Sequence, residues 1–143
     1  MPRIKIEIPD KIIFSTEIPV RISDINYGGH LGNDSLLSII HEARVRFLYH
    51  LNYSESNVEG VGIIMIDSAV QYKAESFYGD VLLVEITIND FTAIGCDFVY
   101  RITNKNTSKE IAIAKTGVVF FNYEKRKTVP VPPEFKVKIK ELS

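Results

Sequence analysis

The clearest helical signal in this chain lies in its first third, and it dictates what the remainder must do. Leu36, Ile40, Ala43, Phe47 and Leu51 fall at steps of four and three, one stripe of a 3.6-residue period. Leu37, Ile39 and Leu48 widen that stripe beyond what a surface helix carries, so the spacing predicts a deeply buried helix over residues 33–51. Asn33 or Asp34 is suited to cap its start, because a short side-chain acceptor satisfies an otherwise orphan amide. Asn52 and the polar stretch of residues 54–60 end it. A helix with so much apolar surface needs a partner layer, and the rest of the sequence has to supply one.

The rest reads as strands. Residues 3–8 (RIKIEI) alternate with period two and stop at Pro9-Asp10. Residues 12–22 are rich in β-branched side chains, with Pro19 marking an edge or a bulge. Beyond the helix, residues 61–74, 81–91, 97–103 and 110–123 are four further strand candidates, separated by turn compositions at residues 75–80 and 104–108. The C-terminal FKVKIK, residues 135–140, alternates again and predicts a strand by period alone. One long helix followed by a run of antiparallel strands is an α+β arrangement, with the helix laid on a curved sheet. A sheet that wraps one helix leaves an edge and a face uncovered, which favours self-association.

The chain of 143 residues suits one domain over residues 1–143, with no repeat or linker at which to divide it. Its 17 basic and 18 acidic residues nearly cancel, so no overall field recruits nucleic acid or an anionic membrane. The single Cys96, between Gly95 and Asp97 in a turn-like setting, excludes an internal disulfide and any multi-thiolate metal site, and reads as an inert small residue. No apolar run approaches a membrane span and the first residues lack a secretion signal, so a cytoplasmic location is expected. Lys125-Arg126-Lys127 is suited to phosphate contact, although such a run is more commonly a solvated face.

Between the second strand and the helix stands SDINYGGHLGND, residues 23–34, which packs two carboxylates, a histidine, three glycines and two asparagines into twelve positions. Gly28, Gly29 and Gly32 let backbone approach a ligand closely. The loop then runs into the N-terminus of a buried helix, where unpaired amides and the positive dipole end favour developing negative charge. That is the layout of an oxyanion hole, with Asp24 and His30 at its flanks to supply a base or orient a water. The same residues are equally suited to Asx-turns and a cap, with His30 a satisfied loop histidine.

At these residues the sequence resembles the hotdog-fold thioesterases, in particular the 4-hydroxybenzoyl-CoA and acyl-carrier-protein thioesterase branch. The shared pattern is a strand, then D-x-D-x-x-G-H-x-N-N, then a long helix ending in an E-A-R stretch. Here it stands as Asp24-Ile25-Asn26-Tyr27-Gly28-Gly29-His30-Leu31-Gly32-Asn33, followed by His41-Glu42-Ala43-Arg44. Tyr72-Lys73-Ala74-Glu75 and Gly79-Asp80-Val81 match the family's strand–turn–strand downstream. The resemblance implies a curved antiparallel sheet around the helix, and a homodimer, or a dimer of dimers, with active sites at the subunit interface. It also implies metal-independent hydrolysis of acyl-CoA or acyl-carrier-protein thioesters, with no cofactor beyond the coenzyme A of the substrate. Amides at the helix start would polarise the carbonyl, within a site formed by Tyr27, Gly28, Gly29, Leu31, Gly32 and Asn33.

Two positions depart from the family. Asn26 stands where this branch carries its catalytic carboxylate, and an amide is no general base, although it still donates hydrogen bonds. Gly32 replaces the first of the paired asparagines. The replacement carboxylate is then expected from Asp24, two residues earlier, or from Glu42, which points away from the apolar stripe and is also spaced to pair with Arg46. His30 is expected to orient water or protonate the leaving thiolate. The alternatives are a non-catalytic protein that binds acyl thioesters and, ranked last, a hydratase or dehydratase of the same fold using His30 and Glu42.

Overall fold

The computed structural model describes residues 4–143. Its elements run β1 (Phe14–Pro19), a 3-10 turn (Ile22–Asp24), α1 (Asn33–His50), β2 (Gly62–Tyr72), β3 (Val81–Asn89), β4 (Gly95–Asn104), β5 (Glu110–Asn122), β6 (Lys127–Thr128) and α2 (Pro133–Leu142). The strands form one antiparallel sheet in the order β1-β3-β4-β5-β2, with the short β6 pairing with β5.

Period-two alternation decides which sheet face meets α1. Leu82, Val84 and Ile86 of β3 are fully buried, as are Tyr100 and Ile102 of β4 and Ala112 and Ala114 of β5. Against them α1 buries Leu36, Ile39, Ile40, Ala43, Arg44, Phe47 and Leu48. The Phe47 ring meets Phe14 of β1 at a centroid distance of 5.3 Å and Phe98 of β4 edge-on at 6.1 Å, which anchors the helix across the sheet. The α+β architecture with a helix laid on a curved antiparallel sheet is thus the one observed.

Several local expectations are corrected. Leu37 is 43% exposed and lies outside the buried stripe. The helix cap is Gly32, with no side-chain cap bond from Asn33 or Asp34, because Asn33 already lies inside the first turn. Residues 4–8 form no strand, and Arg3 of that expected segment lies outside the described residues. Their alternation finds no ladder partner, and the longer β1 and β2 form the two ends of the sheet. Cys96 sits within β4 rather than in a turn. Its thiol is 3% exposed and burial pushes it up to about 12, which keeps it unreactive.

The C-terminal FKVKIK is helical. Pro133 occupies the first turn of α2, where its missing N–H costs nothing, and it fixes a helical φ. Phe135 and Ile139, four apart, are the buried pair, while Val137 between them is 54% exposed. Six alternating residues also satisfy an i, i+4 stripe, and the tertiary contacts selected that one. The Phe135 ring packs 5.3 Å from Phe120 and 6.1 Å from Tyr53, closing the end of the core between α1 and the sheet.

The two sheet edges differ in length and in what they expose. β1 is short and ends in Pro19, whereas β2 runs for 11 residues with a bulge at Ile66 between Met65 and Asp67. Met65, Ile66 and Tyr72 are exposed along it. No helix among the described residues is long and apolar enough to cross a membrane.

Removing the Phe135 ring deletes a fully buried aromatic and leaves a cavity, so Phe135→Ala is expected to cost about 3–5 kcal/mol. A urea titration checks this, with the midpoint falling and the slope unchanged.

Candidate active site

Residues 23–34 fold as a tight excursion closed by an antiparallel bridge between Ile25 and Leu31. Asn26 N–H donates to the His30 carbonyl at 2.9 Å, and Gly29 N–H to the Asn26 carbonyl at 3.0 Å. Gly29 has φ +85°, a conformation that side chains other than glycine's strain to adopt. Asn26 also accepts through Oδ1 from Gly28 N–H at 2.9 Å and from His30 N–H at 3.4 Å. The amide therefore shapes the turn through its oxygen, and its Nδ2 is left outside both bonds. Leu31 N–H donates to the Ser76 carbonyl at 2.7 Å, which ties the loop to the segment after β2.

Asp24 is 3% exposed, and its carboxylate is spent on structure. Arg21 donates to it from the backbone at 2.8 Å and from the guanidinium at 3.3 Å and 3.4 Å. The Asp24 carbonyl in turn accepts from Gly32 N–H at 3.0 Å, so the same residue locks both ends of the loop. Glu42 is half exposed and accepts from Arg46 Nε at 2.8 Å, the i, i+4 pair that its spacing allows. Tyr27 projects fully into solvent.

Gly32 begins α1 in an extended conformation and brings no side-chain acceptor to the first-turn amides. A Cβ there would stand 2.8 Å from Asp34 Oδ1, the end of an exposed side chain that can move aside. The amides of Asn33 and the residues after it stand at the positive end of a helix buried on its far side. His30 lies beside them, a third exposed. Its Nδ1 is 3.3 Å from the Leu31 carbonyl, a contact that favours the proton on Nδ1. Its Nε2 then faces Glu75 Oε1 at 3.9 Å.

A second polar cluster sits further along α1. Arg44 is 1% exposed, donating from Nε to Glu55 Oε2 at 2.9 Å and from Nη1 to the Tyr100 hydroxyl at 3.2 Å. That hydroxyl lies 2.7 Å from Thr116 Oγ1, and His41 Nε2 lies 2.7 Å from Glu55 Oε1. Burial alone would push the Glu55 carboxyl up; the bonds from His41 and Arg44 outweigh it and hold it below its ordinary value. The cluster and the Leu37 side chain border a cavity of about 460 Å³ between α1 and β2.

Sequence reasoning placed Asn26, His30, Gly28, Gly29, Gly32 and Asn33 in one loop, where they are found together. It missed Glu75 and Glu55. Both lie in segments of loop composition, and nothing local to them signals the histidine each one meets. Among the described residues, no three His, Cys, Asp or Glu side chains cluster as a metal site would require.

Because Glu55 has a lowered folded pKa, its contribution is fully present above its unfolded value, near 4.5, and is lost as pH falls through the folded one. Urea midpoints measured from pH 7 to pH 3 should show Glu55→Gln less stable at neutral pH and less sensitive to acid than the parent.

The chain is similar in sequence and fold to known proteins. A 1,4-dihydroxy-2-naphthoyl-CoA hydrolase of Synechocystis is 28% identical over 134 residues, covering 90% of this chain and 96% of that protein. The crystal structure of Slr0204, a 1,4-dihydroxy-2-naphthoyl-CoA thioesterase from Synechocystis, superposes with a TM-score of 0.82 at 26% identity, over 90% of this chain and 96% of that one. A DHNA-CoA thioesterase from Staphylococcus aureus shares the fold with a TM-score of 0.78 at 18% identity, over 90% and 89% of the two chains. The family model of the thioesterase-like superfamily matches residues 20–139, which include the loop, α1 and the whole of β2 to β5. The chain belongs to the thioesterase-like superfamily.

Proposed function

We propose that this protein hydrolyses acyl-CoA thioesters at the start of α1, without a metal. The observation that carries the reading is the helix N-terminus, which is capped by Gly32 with no side-chain acceptor, next to His30. A thioester carbonyl oxygen bound there accepts from the first-turn amides, and those bonds strengthen as the oxygen gains charge. The donors are fixed beforehand by the helix, so little reorganisation is needed when the charge develops.

His30 is the proton-handling group in this reading. With Nδ1 donating to the Leu31 carbonyl, Nε2 takes a proton from water, and Glu75 faces the imidazolium that forms. The water oxygen bonds to the carbonyl carbon, the carbon–sulfur bond breaks, and the thiolate of coenzyme A recovers the proton from His30. Asp24 holds the loop through Arg21, and Asn26 holds the turn that presents His30. The Synechocystis relative, a naphthoyl-CoA hydrolase, supports coenzyme A as the carrier. A second copy pairing along the exposed β2 edge would cover Met65 and Ile66 and bring the two α1 helices side by side.

A second reading, a protein that binds the acyl thioester without cleaving it, is favoured by one observation. The carboxylate nearest the family position, Asp24, is taken by Arg21, and an amide, Asn26, stands at that position itself.

A thiol reagent distinguishes the two. Across straight-chain and aryl CoA thioesters, thiol release above buffer is expected for at least one. Silence across the panel, with tight binding by calorimetry, selects the second reading. His30→Gln is expected to lower kcat by about 10²–10⁴-fold with KM little changed, the usual span for a general base.

A further inference from the structure

The cavity between α1 and β2 begins one helical turn from the first-turn amides of α1. Asn33, Leu37, His41 and Arg44 are spaced four, four and three apart, so they share one face of the helix. At the helical rise, Leu37 lies about 6 Å and His41 about 12 Å beyond Asn33 along the axis. β2 runs beside this face. Its end at Tyr72 lies by the helix start: burial first, and then the Asp34 carboxylate, raise the Tyr72 phenol. Further back along β2, Ser68 and Met65 line the same cavity as His41 and Glu55.

Along α1 the cavity wall is apolar at Leu37 and Ile40, and along β2 it meets Ser68 before Met65. Its far end is polar. There Arg44 gives Nε to Glu55 and Nη1 to Tyr100, which leaves Nη2 outside both bonds. His41 uses Nε2 on Glu55, which leaves Nδ1 as an acceptor. The charges of Arg44 and Glu55 cancel, so the end of the cavity presents hydrogen-bonding groups and no net charge.

We propose that this cavity receives the acyl group of the thioester and selects a chain that carries a hydroxyl about 12 Å from the helix amides. The proposal rests on the thioesterase reading and adds the substrate class. A hydroxyl accepts from Arg44 Nη2 and donates to His41 Nδ1 or Ser68 Oγ. A plain alkyl chain strips water from these groups and returns no bond, the case in which polar sites discriminate most strongly. A carboxylate gains no net attraction where the charges of Arg44 and Glu55 cancel, and a single hydroxylated ring is too short to bring its oxygen to His41.

The test compares CoA thioesters of a saturated medium-chain acid, its ω-hydroxy analogue and a hydroxybenzoic acid, by thiol release and by calorimetric titration. The ω-hydroxy thioester is expected to exceed the plain chain at least about tenfold in kcat/KM, mainly through KM. His41→Leu, which also removes the bond to Glu55, is expected to erase that ratio, and Ser68→Ala, which leaves that bond in place, to reduce it. Equal kcat/KM for the two chains, or a preference for the hydroxybenzoyl thioester, overturns the subsite and leaves hydrolysis standing. No thiol release from any of the three overturns hydrolysis, and calorimetry then reads the subsite alone. Tighter binding of the ω-hydroxy thioester by the same factor upholds it, and equal binding overturns it.

Discussion

The burial of α1 in the concave face of the sheet is the constraint on which the rest of this molecule depends. A helix packed against β1, β3 and β4 along one side holds its first-turn amides in a fixed direction at the positive end of its dipole. The same packing puts Arg44 in the interior, 1% exposed. An unpaired guanidinium there would be very costly, so Glu55 and Tyr100 are brought to it from a loop and from β4. One helix thus sets the position of both polar centres, at its start and at its middle.

The loop before α1 illustrates how acidic residues are divided between structure and chemistry. Asp24, the residue nearest to the position of a family carboxylate, is enclosed and holds Arg21 on one side and the Gly32 amide on the other. Asn26 replaces an acid with a group of the same shape, and that shape is used, since its oxygen gathers two loop amides. Under the proposed mechanism the proton-handling work passes to His30 and Glu75, which come from segments 45 residues apart in the chain. Glu42 is turned outward to Arg46, on a different part of the helix surface from the cavity face.

The C-terminus shows how a short periodic pattern is resolved. FKVKIK fits a strand by alternation and a helix by the Phe135–Ile139 step. Pro133 and the pocket among Phe120, Tyr53 and Phe91 decide between them, because a ring at Phe135 fills that space only from a helix. The N-terminal alternation over residues 4–8 meets the opposite fate, since no ladder receives it.

The sequence by itself determined the buried helix, the strands on either side of it and the glycine-rich loop between them. All three are written in local periodicity and composition, which the chain carries without reference to distant residues. Even the reading of Glu42 as an outward residue paired with Arg46 needed only the helical repeat. Tertiary structure decided which carboxylates are free and which are spent. It brought Glu75 to His30, Glu55 to His41 and Arg44, and β2 alongside α1 to enclose a cavity. Those pairings join residues far apart in the chain, and their energies exist only once the sheet has curved around the helix.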